Sequence, residues 1–188
     1  MDTINKATKP KYRQKDTQTV YSNCQITKSI MLPITSVGKN LRETLAYAIS
    51  KMVGEKCIVE GYVKPSSVEV ITYSSGLVKG DQVIFDVVYK CEVCFLVSGM
   101  KLNCIAKNIT KAGIRAESSD ETPSPFVLFI ARDHFYNNDY FNSIEENEKI
   151  VARVIAQRFE LNDKYVSVIA ELVSPPKKDF KPRIEFTD

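Results

Sequence analysis

Residues 83–97 run for fifteen positions without a glycine or proline and are dominated by Val, Ile, Phe, Tyr and Cys. A run this rich in β-branched and aromatic residues reads as a strand, and it is about twice the usual strand length. Ser98 and Gly99 break it. A second β-rich run, 100–109, then leads through Lys111, Ala112 and Gly113 into residues 114–117. A strand of such length can close one sheet with its first half and brace a second with its last half, so the sequence predicts a seam between two domains here.

The chain of 188 residues has room for one domain or two small ones, and its 44% apolar content is that of a globular protein. No apolar run reaches the roughly 18 residues needed to cross a bilayer, and the N-terminus is polar where a secretory signal would be apolar. These features predict a soluble, intracellular protein with no membrane partner. Five cysteines, at 24, 57, 91, 94 and 104, are scattered through strand-like segments, which argues for reduced core thiols over a disulfide framework. Lys outnumbers Arg by 19 to 7, the bias of an AT-rich genome.

Residues 1–19 hold five cations, two acids and almost no apolar side chains, and are expected to form a basic flexible tail. A strand is predicted over 20–32, with Ile26, Ile30 and Leu32 on one face, ended by Pro33. Leu41, Leu45, Ala48, Ile49 and Met52 recur at helical spacing between Gly38 and Gly54, giving one amphipathic helix. Strands over 56–62, 68–73 and 83–97 supply the sheet it needs. Between the first two, Gly61 to Ser67 reads as a loop with Tyr62 and Val63 exposed at its tip, where apolar residues often meet a partner.

Beyond the seam, strands are expected over 100–109, 113–117, 126–131, 148–159 and 164–173, with a loop or short helix between the third and fourth. Five short antiparallel strands suggest a small Greek-key barrel of the OB type. Residues 174–188, with three prolines and mixed charge, read as an extended tail.

The chain carries no recognisable catalytic centre. Cys91 and Cys94 have CxxC spacing, but residues three apart in a strand point to opposite faces, and no second pair completes a zinc site. His134 is the single histidine and has no nucleophile beside it. Asp139, Glu145, Glu146 and Glu148 read as a solvated acidic loop, and no glycine-rich phosphate loop occurs. The residues call for no metal and no cofactor.

The order of features resembles the stalk component of archaeal and eukaryotic DNA-directed RNA polymerases, the eukaryotic seventh-subunit family and its archaeal counterpart. Leu32, Pro33, Gly38, Leu41 and Leu45 follow that family's proline, glycine and helix pattern. Val59, Glu60 and Gly61 match the opening of its tip loop, the Val83 strand runs into Ser98 and Gly99 where its S1 barrel begins, and residues 129–134 resemble its third barrel strand. The match runs colinearly over about 20–173.

The resemblance implies a mostly β, α+β protein. Residues 20–97 would form a docking domain, a small antiparallel sheet on one helix of truncated RNP-like form, and 98–173 an S1-type OB barrel. It further implies a non-catalytic subunit docked on the large subunits of the polymerase core, with a fourth-subunit-like stalk partner and single-stranded RNA near the barrel. Gly61, Tyr62, Val63, Lys64 and Pro65 are the expected docking residues. Lys107, Lys111, Arg115 and Arg132 are the expected RNA contacts, through charge alone, because the positions matching the family's stacking rings are Ala112, Ile114 and Ile130. The location implied is the nucleus for a cellular protein, and host cytoplasm or virion for a viral one. The alternative is a free-standing S1-type RNA-binding protein.

Overall fold

The computed structural model describes residues 20–135 and 139–174, apart from the side chains of residues 134 and 135. The predicted basic tail 1–19 and the tail beyond Ser174 lie outside the described residues. Among the described residues no helix is long and apolar enough to cross a membrane. The described residues are mostly β and form two sheets, one of them a closed five-stranded barrel.

The long run forms β6 (Gln82–Cys94), and β1 (Tyr21–Pro33) pairs with it antiparallel from Tyr21↔Cys94 to Pro33↔Gln82 without a register shift. On its other edge β6 takes up β5 (Leu77–Lys79), β4 (Glu69–Tyr73) and β3 (Gly61–Val63) in succession, and β2 (Cys57–Ile58) lies outside β3. The expected division of β6 between two sheets is therefore corrected: it belongs to one sheet throughout. The short strands β3 and β5 add to the sequence expectation. β5 turns into β6 through Gly80 and Asp81, with Gly80 at φ 64°, which a two-residue hairpin turn needs.

Strict alternation sorts the side chains of β6. Val83, Phe85, Val87, Tyr89, Cys91 and Val93 are buried in one cluster with Leu45, Ile49 and Val53 of α1 (Leu41–Val53), spaced four residues apart. The helix turns Val53 inward and leaves Met52 exposed, reversing the sequence expectation for that last turn. The even residues of β6 face away from α1, and there Asp86 accepts a 2.6 Å bond from Ser29 Oγ. One inward position on the edge strand β1 is charged: Lys28 sits opposite Val87, half-buried between Ile26 and Ile30.

The barrel follows from five strands of the same period. β7 (Lys101–Ile109), β8 (Gly113–Ser118) and β9 (Phe126–Ala131) form an antiparallel meander. β11 (Val166–Leu172) joins β9 in parallel, which corrects the expectation that all five strands are antiparallel, and β10 (Lys149–Arg158) closes the ring between β11 and β7. This five-stranded Greek-key closure is OB-like. A short helix, α2 (Asp139–Ser143), lies in the β9–β10 connection, and its Phe141, with Ile144, belongs to the barrel core.

The two sheets meet through one cross-strand row, Cys57, Tyr62, Cys94 and Tyr21, directly opposite one another on β2, β3, β6 and β1. Cys57, Tyr62 and Cys94 share the barrel's cluster, and Tyr21 packs against it. Hydrogen bonds reinforce the contact. Cys57 N donates to Asp163 O at 2.7 Å, Asn162 N donates to Cys57 O at 2.8 Å, and Leu96 N donates to Gln157 Oε1 at 3.1 Å.

Tyr62 is 1% exposed and lies at the centre of this row, so Tyr62→Ala is expected to cost about 3–5 kcal/mol in chemical denaturation, as for other buried rings. Tyr47, 71% exposed on α1, provides the control: Tyr47→Ala should change stability by no more than about 0.5 kcal/mol.

Burial pushes the Cys57 and Cys91 thiols up to about 11, and Cys94 and Cys104 up to about 12. Unfolding returns each to its ordinary value near 8.5. Above that pH the unfolded chain has lost protons that the native one keeps, so stability must fall as pH rises from about 8.5 towards about 11. Urea unfolding across that range should show the decline, and Cys104→Ala should make it shallower by about one proton's worth of slope.

Candidate functional site

Three of the five residues expected to dock prove to be interior. Gly61, Tyr62 and Val63 form β3, Val63 is as buried as Tyr62, and Gly61 sits at φ 130° with its Cα against the Cys94 carbonyl. The physical reason is that β3 is sandwiched between β2 and β6 and feeds two cores at once. Tyr62 points into the barrel cluster and Val63 into the helix-facing one. The expectation that Tyr62 and Val63 stand exposed at a loop tip is therefore wrong.

Lys64 and Pro65 follow at the strand's end, both half-buried. Lys64 Nζ bonds Glu92 Oε2 at 2.9 Å, lies 4.0 Å from Glu121 Oε1 of the barrel and sits 4.8 Å from the centroid of the Tyr21 ring. The Glu92 hydrogen bond holds the ammonium pKa above its ordinary value. Lys64 thus helps tie the sheet to the barrel across a cleft of about 920 Å³, which Tyr21, Glu92, Lys101, Asp120 and Glu121 also line.

Exposed apolar surface lies instead at the end of the sheet farthest from the barrel. Met31, Ile84 and Leu77 form one row across β1, β6 and β5, with Met31 57% and Leu77 68% exposed. Ile34 and Val37, in and after the 3-10 turn Ile34–Ser36, are exposed beside it, and Ile34 N donates to Asp81 O in the β5–β6 turn at 2.9 Å. Val78 adds to this tip from the opposite face.

The predicted RNA contacts fall on the β7–β8–β9 wall of the barrel and its connections. Arg115 projects outward from β8, 3.7 Å from Glu117, Lys107 occupies a bulge in β7, and Lys111 lies in the β7–β8 turn. Arg132 is largely committed to structure. Its guanidinium donates to Asn142 Oδ1 and the Thr110 carbonyl and lies 5.1 Å from the Phe141 centroid, and its N–H donates to Ala112 O. It braces the β7–β8 turn against α2.

Two of the three positions that match the family's stacking rings point inward. Ile114 and Ile130 are directly opposite each other inside the barrel and fully buried, while Ala112 is exposed in the turn. On the β8–β9 wall itself, Phe129 is a ring that does face outward. It is 39% exposed and stands in a cross-strand row with Asn108, Arg115 and Ile169. The alternation of Phe126, Leu128 and Ile130 inward carries that signal in the sequence, since the residue between two buried neighbours must face out.

Cys91 and Cys94 enter different cores, Cys91 beneath α1 and Cys94 beneath the barrel, as opposite strand faces require. Phe141 is buried below Arg132 and presents no open ring face. The side chain of His134 and Tyr136 lie outside the described residues. Among the described residues no three of His, Cys, Asp and Glu gather closely enough to hold a metal ion.

No family model matches the chain. It is 24% identical over 175 residues to a protein of Acanthamoeba polyphaga mimivirus provisionally named a DNA-directed RNA polymerase subunit, and the alignment covers 86% of each chain.

Proposed function

We propose that this protein works in transcription as a non-catalytic stalk subunit of a viral multisubunit DNA-directed RNA polymerase. The observation that carries the reading is the likeness to the mimivirus protein along 86% of both chains, which supports a polymerase subunit of viral origin. The stalk role rests further on architecture. A sheet-and-helix lobe of truncated RNP-like form is joined to an OB-like barrel of S1 type, and the two ends of the molecule carry different chemistry.

The tip formed by Met31, Ile34, Leu77 and Ile84 docks on the large subunits of the polymerase core. It takes over the role expected from the sequence for residues 61–65, because contiguous exposed apolar surface marks an interaction site. A fourth-subunit-like partner completes the stalk. At the other end, Arg115, Lys107 and Lys111 hold the RNA backbone weakly, and Phe129 offers one base a stacking surface. A free-standing RNA-binding protein would have no use for the apolar tip.

Affinity purification of the tagged protein from its native source should recover the large polymerase subunits. Met31→Asp combined with Leu77→Asp should lower that recovery by about tenfold or more, as loss of a hot spot does, and leave the circular dichroism spectrum unchanged. Equal recovery with the double variant would move the docking surface elsewhere, whereas absence of polymerase subunits from the unmodified preparation would overturn the subunit reading.

For RNA, fluorescence anisotropy with labelled homopolymers at two salt concentrations is the measurement. Phe129→Ala should weaken binding by roughly 5- to 150-fold, corresponding to about 1–3 kcal/mol for one stacked base. Arg115→Glu with Lys111→Glu should flatten the salt dependence. Binding indifferent to both changes would place RNA on another surface.

A further inference from the structure

We infer that Cys24 and Cys91 form a thiol–disulfide switch across β1 and β6. The two residues are directly opposite in the antiparallel ladder, so their side chains share the face that packs under α1. They are the one cysteine pair so placed among the described residues. Tyr62 separates Cys57 from Cys94, and Cys104 faces Ser118 on one side and Ile150 on the other.

The ladder also sets the geometry of the pair. Glu92 and Asp86 use their main-chain groups on the β3–β4 side of β6, accepting from Lys64 N and Ser74 N at 2.9 Å each. Odd-numbered residues of β6 therefore direct theirs to β1, which makes Cys24 and Cys91 a hydrogen-bonded pair. Such pairs hold their Cα atoms about 5.5 Å apart, inside the range of about 4.4–6.8 Å that a disulfide spans. The β carbons of directly opposite residues lie roughly 4.5–5.5 Å apart, with hydrogen-bonded pairs at the wider end, and a disulfide brings them to about 3.8 Å. Closing the bond must draw the strands together, so the bond is strained and easily reduced. That is the property of a switch, not of a permanent staple.

The two thiols differ in access. Cys24 is half-buried on an edge strand, and Cys91 is buried with its thiol held mostly protonated by burial. A small disulfide such as oxidised glutathione therefore reacts first at Cys24. The Cys24 thiolate attacks one glutathione sulfur, forming a mixed disulfide and releasing one glutathione thiolate. The Cys91 thiolate then attacks Cys24 Sγ, and the second glutathione leaves. The protein loses two protons and two electrons, and the small disulfide gains them.

The test uses the full chain, incubated with glutathione at graded oxidised-to-reduced ratios, acid-quenched, alkylated and mapped by peptide mass. A single 24–91 linkage is expected, forming faster at pH 9 than at pH 7 and reversing in excess reduced glutathione, with Cys57, Cys94 and Cys104 alkylated only after denaturation. Cys24→Ser and Cys91→Ser should each abolish the linked species. A mixed disulfide on Cys24 that never closes between pH 7 and 9, or a linkage to any other cysteine, would overturn the inference.

Discussion

The period of two in β6 is the constraint on which the rest of the structure depends. A thirteen-residue strand must send alternate side chains to opposite faces, and its odd positions are all claimed by the helix-facing core. The even positions have no such cover for most of their length and are accordingly mixed: Ile84, Asp86, Val88, Lys90, Glu92. Only at Cys94 does this second face become buried, and what buries it is the barrel. One strand thus organises two cores, by changing what lies over one face near its end while its pairing stays the same.

The joint inherits its strength from that arrangement. The row Cys57, Tyr62, Cys94 and Tyr21 presents the second face of the sheet as a floor for the barrel, and backbone bonds between Cys57 and residues 162 and 163 fix the barrel's β10–β11 connection to the outermost strand of the sheet. Burial of one large ring in such a contact is worth about 1.5–3 kcal/mol, and the main-chain bonds add direction. The outcome is a molecule whose apolar tip and cationic wall are held in a set relation to each other.

Much of the fold is legible where periodicity runs long enough to be unambiguous. The runs that form β1, β6 and β7–β11 alternate over six residues or more, and Leu45 and Ile49 mark the helix by their spacing. What escapes is short or non-local. Gly61–Val63 and Leu77–Lys79 are three-residue strands set among Gly, Pro and Ser, so local chemistry reads them as loops, and their burial or exposure depends on partners distant in sequence. Tyr62 and Val63 look like surface anchors because nothing nearby discloses that a barrel lies over one and a helix-covered core over the other. The cationic positions on the barrel are readable as charge. Phe129 is hidden when positions are matched to a family pattern, which favours Ile114 and Ile130, whereas parity along β9 assigns those two to the interior.

Lys28 bears on how such a sheet survives in a crowded solution. The outer edge of β1 presents a long unbulged row of amide and carbonyl groups, the template that a strand from another molecule would extend. A second sheet edge laid against it would have to continue the helix-facing apolar layer, and so would bring hydrocarbon up to a half-buried ammonium that cannot be stripped of water cheaply. The same side chain is tolerable in the isolated molecule, because a half-buried lysine can cover apolar surface with its stem while keeping its charge in water. A single misplaced-looking cation thereby guards the open edge against strand addition, tolerated at small cost to the folded chain and far more costly in a fibril.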